Sequence, residues 1–192
     1  MRTQGHAVIN LCVLGEVLAP GSGPAVLAGA IVPDLPIVVL WTRERLRGRP
    51  EEDIWRSVYP KKPWIDLIHG AHSLPLAALG LAASALLSAP AGVAFFASVL
   101  LHSLSDLPLH AEDAHRHFLP LSSWRFVSPI SYWDVRHHGR TVTFVEMLAV
   151  MAAGACLWPG AAMLERAALV AVALGYVRSS WRVRAGMPHP VS

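Results

Sequence analysis

The stretch "LLHSLSDLPLHAEDAHRHF", residues 100–118, begins as an apolar run and then sets four histidines and three acids close together. His102, Asp106 and His110 recur at i, i+4 and i+8, so a persisting helix lines them along one stripe, and Pro108 is placed to end that helix. In a soluble helix, a His-x-x-x-Asp pair reads first as an acid holding a buried imidazole in one tautomer. In an apolar helix the balance changes, because a charged group near the bilayer centre costs about 2.5–3.5 kcal/mol or more and marks a site. A divalent cation offsets that cost by neutralising the carboxylates and taking the imidazole lone pairs. Oxygen and nitrogen donors without thiolates suit Zn²⁺, with Mn²⁺ and Fe²⁺ as alternatives.

These side chains need a frame, and the composition says which kind. Of 192 residues, 54% are hydrophobic and only 15% charged, with a mean hydropathy of +0.43, which points to a membrane protein. No linker, low-complexity tract or 20–50-residue repeat divides the chain, so residues 1–192 read as one membrane domain. Apolar segments come in pairs joined by short uncharged turns: 6–19 with 24–41, 64–88 with 91–109, and 142–158 with 161–178. The expectation is an all-α, polytopic helical bundle of about three hairpins, with four to six membrane-embedded helices and long polar connections at 42–63 and 110–141. Several segments are shorter than the ~20 residues a full crossing needs, so the first segment is a candidate re-entrant element. Glu16 interrupts the first apolar run and no small-residue cleavage site follows, so the start does not read as a cleaved signal. Cys12 and Cys156 lie in separate apolar runs and read as small hydrophobes, without a disulfide or thiolate site.

Charge placement orients the frame. Arg and Lys fall at Arg2, in "TRERLRGRPEEDIWRSVYPKKP", in the 110–141 connection and in the tail "VRSSWRVR", while the three hairpin turns have none. The positive-inside rule then puts both termini and both long connections in the cytoplasm, in a multi-pass protein of the cytoplasmic (inner) membrane. The same rule accounts for "RERLRGR" without a nucleic-acid partner, and attraction to anionic lipid accompanies it. Trp41, Trp64, Trp158 and Trp181 lie near helix ends, where they are expected either as headgroup-level anchors or as core residues. With this topology, His6, Asp34, His69, His72, His102, Asp106 and His110 all reach one side of the bilayer, although they span a hundred residues of sequence.

The order His6, "VPDLP", "HGAHSLPLA", "LLHSLSDLPL" resembles the membrane-bound metal-dependent hydrolases, an inner-membrane group with an SOS-induced, LexA-binding member. Members typically show Thr-His, Pro-Asp-Leu-Asp, Thr-His-Ser and His-x-x-x-Asp, and the resemblance covers about residues 3–110. More remotely, the Asp, the His and the His-x-x-x-Asp are similar to one metal site of the all-helical zinc-dependent phospholipase C and P1-type nuclease fold. The resemblance implies a first metal held by Asp34, His72, His102 and Asp106, with His6 serving a second. Gly5, Pro36 and Ala71 stand where the family has Thr, Asp and Thr, and Leu67 replaces a histidine for which His69 is the nearest substitute.

The connection "HAEDAHRHFLPLSSWRFVSPISYWDVRHHGR" reads in two ways. Its donors, His110, Asp113, His115, His117, Asp134, His137 and His138, are enough for a second metal, with His110 and His117 favoured over His137 and His138. Otherwise it is a solvated loop with Trp124, Tyr132 and Trp133 at the interface. In a catalytic site, Asp113 or Glu146 is the candidate general base, and Arg116 or Arg125 the candidate anion holder. No Gly-x-Ser-x-Gly, P-loop or GxGxxG occurs, so serine hydrolysis and nucleotide-driven transport have no sequence support. The expected activity is hydrolysis of a phosphoester, on a phospholipid or other lipid-linked substrate, at the cytoplasmic membrane face. A metal-ion transporter and a scaffold with a structural metal are the alternatives, and the oligomeric state is left open.

Overall fold

A computed structural model describes residues 1–15, 18 and 20–184, with side chains as far as residue 178. Glu16, the Trp181 side chain and the tail from residue 185, with His189, lie outside the described residues. The described residues form helices and no strand: α1 (Thr3–Leu14), α2 (Gly23–Ile31), α3 (Leu35–Leu46), α4 (Trp64–Ala71), α5 (Leu74–Leu86), α6 (Pro90–Asp106), α7 (Gly139–Leu157) and α8 (Met163–Arg184), linked by short helical turns. Each expected pair packs together: α1 on α2, α5 on α6, and α7 on α8.

Three helical stretches are long and apolar enough to cross a membrane: Gly23–Leu46, Pro90–Leu109 and Gly139–Gly160. The α4–α5 pair makes a fourth if it counts as one span bent by 49°. At twelve residues, α1 is about 18 Å long, well short of a hydrocarbon core. It lies instead against α2, α6 and α7.

Close backbone approach fixes α6 at the centre, against α1, α2 and α5. A Cβ on Gly29 of α2 would collide with the Phe95 carbonyl of α6, and one on Gly80 of α5 would enter the Phe96 ring, so only glycine lets these helices meet at this distance. A short polar chain then ties three helices. Asn10 Nδ2 donates to Ser98 O at 2.9 Å and Ser98 Oγ at 2.8 Å, and Ser98 Oγ donates to the Val26 carbonyl at 2.6 Å.

Polarity is distributed inside out compared with a water-soluble core. Leu79, Leu86, Leu104, Phe144, Val145 and Leu148 face outward, while ten of the buried polar side chains are histidine or aspartate of α1–α6 and the segment that follows. The apolar core proper is small, formed by Val8, Val150, Ala153 and Tyr176 between α1, α7 and α8. The segment between α6 and α7 has little regular structure but is not loose. Leu74 N donates to His117 O at 2.8 Å, Tyr132 N to Leu109 O at 3.1 Å, and Thr143 Oγ1 to Tyr132 O at 2.7 Å, so it docks on the α4–α5 break and on the start of α7.

Candidate metal centre

Three interruptions of the helices converge on one point. Between α2 and α3, the 3₁₀ turn Val32–Asp34 breaks the Gly23–Leu46 stretch where Pro33 lacks an N–H, and it places Asp34 there. Between α4 and α5, the chain bends at His72, and Ser73 Oγ restarts a helix by accepting from Leu76 N at 3.2 Å. At the end of α6, Asp106 is followed by a 3₁₀ turn containing Pro108. Irregular backbone in an apolar frame is tolerated where it lines a protein-enclosed site, and His102, one turn before Asp106, completes this one.

Asp34, His72, His102 and Asp106 are all buried, and each offers a donor atom within 4.8 Å of the others. His72 Nδ1 lies 2.8 Å from the Ile68 carbonyl, and His102 Nδ1 lies 2.8 Å from the Ala30 carbonyl. A carbonyl only accepts, so both Nδ1 atoms carry the proton and both Nε2 atoms present a bare lone pair in the neutral ring. Those two Nε2 atoms are buried with no hydrogen-bond partner. They face the carboxylates instead: His72 lies 3.5 Å from Asp34 and 3.8 Å from Asp106, and His102 lies 3.7 Å from Asp34 and 3.4 Å from Asp106. Such separations are long for hydrogen bonds, whereas two ligands each about 2.0–2.1 Å from a tetrahedral ion lie roughly 3.4 Å apart. The cluster could hold a metal ion.

A second group shares Asp106 with His110 and His115, again with donor atoms within 4.8 Å of one another. His110 follows the same design, with Nδ1 2.7 Å from Asp113 Oδ2 and a partnerless Nε2 3.7 Å from Asp106 Oδ2. Burial works against a charge on His110, but the Asp113 carboxylate, and then that of Asp106, outweigh it and raise its pKa to about 9, so at neutral pH both ring nitrogens carry protons and Nε2 becomes a donor only when a cation displaces its proton. Burial pushes His115 well below the usual histidine value, and the neighbouring His72 and His110 add to this. Burial and His72 bring His117 down to about 4. His115 and His117 are therefore neutral rings near neutral pH, able to offer a lone pair.

The remaining candidates fall around these two groups. His6 stacks on His102 with ring centroids 3.6 Å apart, and its Nε2 lies 3.0 Å from Asp106 Oδ1. It thus holds the carboxylate from the side away from the two donor groups, where the Met1 amine also binds it. Thr3 Oγ1 donates to Asp34 Oδ2 at 2.5 Å and leaves Oδ1 facing the histidines. Gly5 has no room for the threonine of the family pattern, since a Cβ there would strike the Tyr176 hydroxyl. Asp113 Oδ2 is engaged by His110 and by Trp133 Nε1 at 2.9 Å, so this carboxylate orients a histidine. Glu146 Oε1 accepts from the Tyr176 hydroxyl at 2.6 Å and from Arg2 N at 2.7 Å, which fastens α7 to α8 and to the start of α1. His69 Nδ1 accepts from Arg116 N at 3.3 Å and pins the connecting segment to α4.

His117 is buried with both ring nitrogens unpartnered, close to His72 and His115, but it joins neither donor group among the described residues. His115, a donor of this connection that its sequence context does not single out, does join one. A signal for it existed: in extended backbone, residues two apart share a face, so His115 and His117 had to be considered together. His137 and Asp134 pair with each other, at 3.1 Å, outside both donor groups. Comparison of the chain with family models, curated proteins and solved structures gives no match, so the site stands on its own residues.

Proposed function

We propose that this chain is a membrane-bound metal-dependent hydrolase of the inner (cytoplasmic) membrane, a polytopic bundle of about three helical hairpins with its termini and long connections in the cytoplasm. The observation that carries this reading is the pair of proton-anchored histidines, His72 and His102, whose bare Nε2 atoms lie at ligand-to-ligand distance from Asp34 and Asp106 inside an apolar frame. Imidazole and carboxylate donors without thiolate favour Zn²⁺, with Mn²⁺ and Fe²⁺ as the alternatives. When bound, such a cation polarises a phosphoryl oxygen and lowers the pKa of water from 15.7 to about 7.

The chain's own residues do the rest. Asp34, His72, His102 and Asp106 hold the first ion; Asp106, His110 and His115 are the proposed donors for a second, with Asp106 common to both. His6 and Thr3 fix the two carboxylates so that one oxygen of each faces the donor group. Asp113 fixes the orientation of His110 through Nδ1, and the docked segment between α6 and α7 brings His110 and His115 to Asp106. His110 directly follows Leu109, the last residue of the Pro90–Leu109 stretch, which supports access to the donors from one membrane face. A phosphoester on a membrane lipid is therefore the proposed substrate.

The test is turnover by the purified full chain in a native-like bilayer, with a bilayer-embedded phosphodiester beside a short-chain soluble one. Hydrolysis should vanish with a chelator, return with Zn²⁺ or Mn²⁺, and favour the embedded substrate. If metal-loaded protein turns over neither phosphoesters nor ester- or amide-linked lipids, the hydrolase reading fails and a structural metal replaces it. Metal uptake into liposomes without turnover would make the chain a transporter.

A further inference from the structure

Away from the metal cluster, the sequence "TRERLRGR" forms a second charged assembly at the end of α3. Gly48, with φ +77°, sits in the left-handed region just past the helix, and it closes a Schellman turn in which Arg49 N donates to Glu44 O at 3.0 Å and Gly48 N to Arg45 O at 3.0 Å. The turn returns Arg49 to the side chain of the residue whose carbonyl it caps. Arg49 Nε lies 3.0 Å from Glu44 Oε2, Arg47 Nη1 lies 3.1 Å from Glu44 Oε1, and Arg43 Nη1 approaches to 3.7 Å. Arg45 Nη1 donates to the Arg49 carbonyl at 3.1 Å.

Burial is strongly uneven across this assembly. The Glu44 side chain is 3% exposed, whereas those of Arg43, Arg47 and Arg49 are 44%, 56% and 45% exposed. One buried carboxylate neutralises one charge and holds the guanidinium groups in place, and their remaining N–H groups face outward. Arg43 is further held over the Trp64 ring, 5.6 Å from its centroid, at the first residue of α4. A charge pattern set only by the positive-inside rule needs neither the buried acid nor the glycine turn. Guanidinium forks fixed in this way match phosphate oxygens, and their excess positive charge ends the Gly23–Leu46 stretch at the depth where lipid phosphates lie.

We infer that Arg43, Arg47 and Arg49, gathered around Glu44 by the Gly48 turn, form a headgroup site for an anionic phospholipid. The inference rests on the membrane reading of Gly23–Leu46 but not on the hydrolase activity, and retention of the chain in carbonate-washed membranes tests that premise separately. The experiment is native mass spectrometry of the purified full chain with dioleoylphosphatidylglycerol and dioleoylphosphatidylcholine. The chain should retain phosphatidylglycerol preferentially, and R47Q/R49Q should lower that retention roughly tenfold or more, since each interfacial arginine contributes about 1 kcal/mol. R56Q/K62Q removes the same charge from exposed residues of the same connection and should lose far less. Gly48→Val, which removes no charge, should weaken retention by opening the turn.

Equal losses in the two double variants, or no preference in the unaltered chain, would overturn the site. Displacement of the lipid by glycerol 3-phosphate at matched concentration would assign it to a free phosphate and also reject the lipid. If R47Q/R49Q does not fold, R47K/R49K decides: retention at the unaltered level means that point charge suffices and the fixed forks play no part.

Discussion

The helix-borne donors Asp34, His72, His102 and Asp106 and the loop-borne histidines His110, His115 and His117 meet at one place, yet they are held by different means. On the helices, backbone does the holding: the carbonyls of Ile68 and Ala30 fix the imidazole protons, and glycine-mediated contacts of α2 and α5 with α6 fix the spacing. In the connecting segment, side chains take over, with Asp113 and Trp133 orienting His110 and His69 anchoring the backbone at Arg116. A backbone acceptor inside a packed helix has nowhere to move, whereas a side-chain acceptor on a docked loop is only as fixed as its own contacts. The first group should therefore be the preorganised one, and the second should depend on residues that touch no metal.

The largest effect is expected where the two groups join. Asp106→Ala removes the one residue both share, so metal content measured on purified protein should fall to near zero at both positions. Retention of half the metal would show that the groups do not share a carboxylate. A finer comparison follows from His102→Ala and His115→Ala. Losing His102 should empty the helix-borne position, while losing His115 should spare it and reduce only the second. If both variants lose the same amount, the loop and the helices serve one ion.

The same contrast explains what could be read in the sequence. The helix-borne set was legible because a four-residue spacing in an apolar run has one meaning on a helix, and because charge segregation pointed to one shared side for polar residues distant in sequence. Proline strengthens the signal, since Asp34-Leu35-Pro36, His72-Ser73-Leu74-Pro75 and Asp106-Leu107-Pro108 each set a donor just before a helix break or restart. The three hairpin pairings followed from the uncharged turns. The loop set was not legible in the same way. Without a helical period, the choice among the loop histidines rested on proximity in sequence, which favoured His110 and His117 over His137 and His138 and did not single out His115. The roles of Asp113 and Glu146 were hidden for a related reason: their partners Trp133, Tyr176 and Arg2 are 20 to 144 residues away.

An intermediate effect should isolate the loop. Asp113→Asn keeps the shape and one acceptor but loses the charge that holds the His110 proton, as in other metal sites where the partner of a ligating histidine is changed. Affinity for the second ion, titrated with a competing chelator, should weaken about 10- to 100-fold. The first should hold its ion as before, because none of its four donors touches Asp113 in the hydrogen-bond network. Equal weakening of both ions would mean that the segment between α6 and α7 supports the helix-borne donors as well.

The smallest effect tests the opposite independence. Ser98 sits two helical turns before Asp106 on α6 and links Asn10 of α1 to Val26 of α2 through one hydroxyl. Ser98→Ala keeps the Cβ that packs against Gly29, and it keeps the Ser98 carbonyl that Asn10 also uses, so only the hydroxyl bonds are lost. Hydrogen bonds between membrane helices contribute about 0.6 kcal/mol on average and at most about 1.7 kcal/mol, so thermal unfolding in detergent should shift down by no more than that range implies. Metal content should stay at the unaltered level, because the acceptors for His72 and His102 lie on α4 and near the end of α2, beyond the bonds removed. A Ser98→Ala protein that unfolds little earlier yet loses its first metal would show that the helix-borne donors depend on this polar link, and that backbone acceptors alone do not preorganise them.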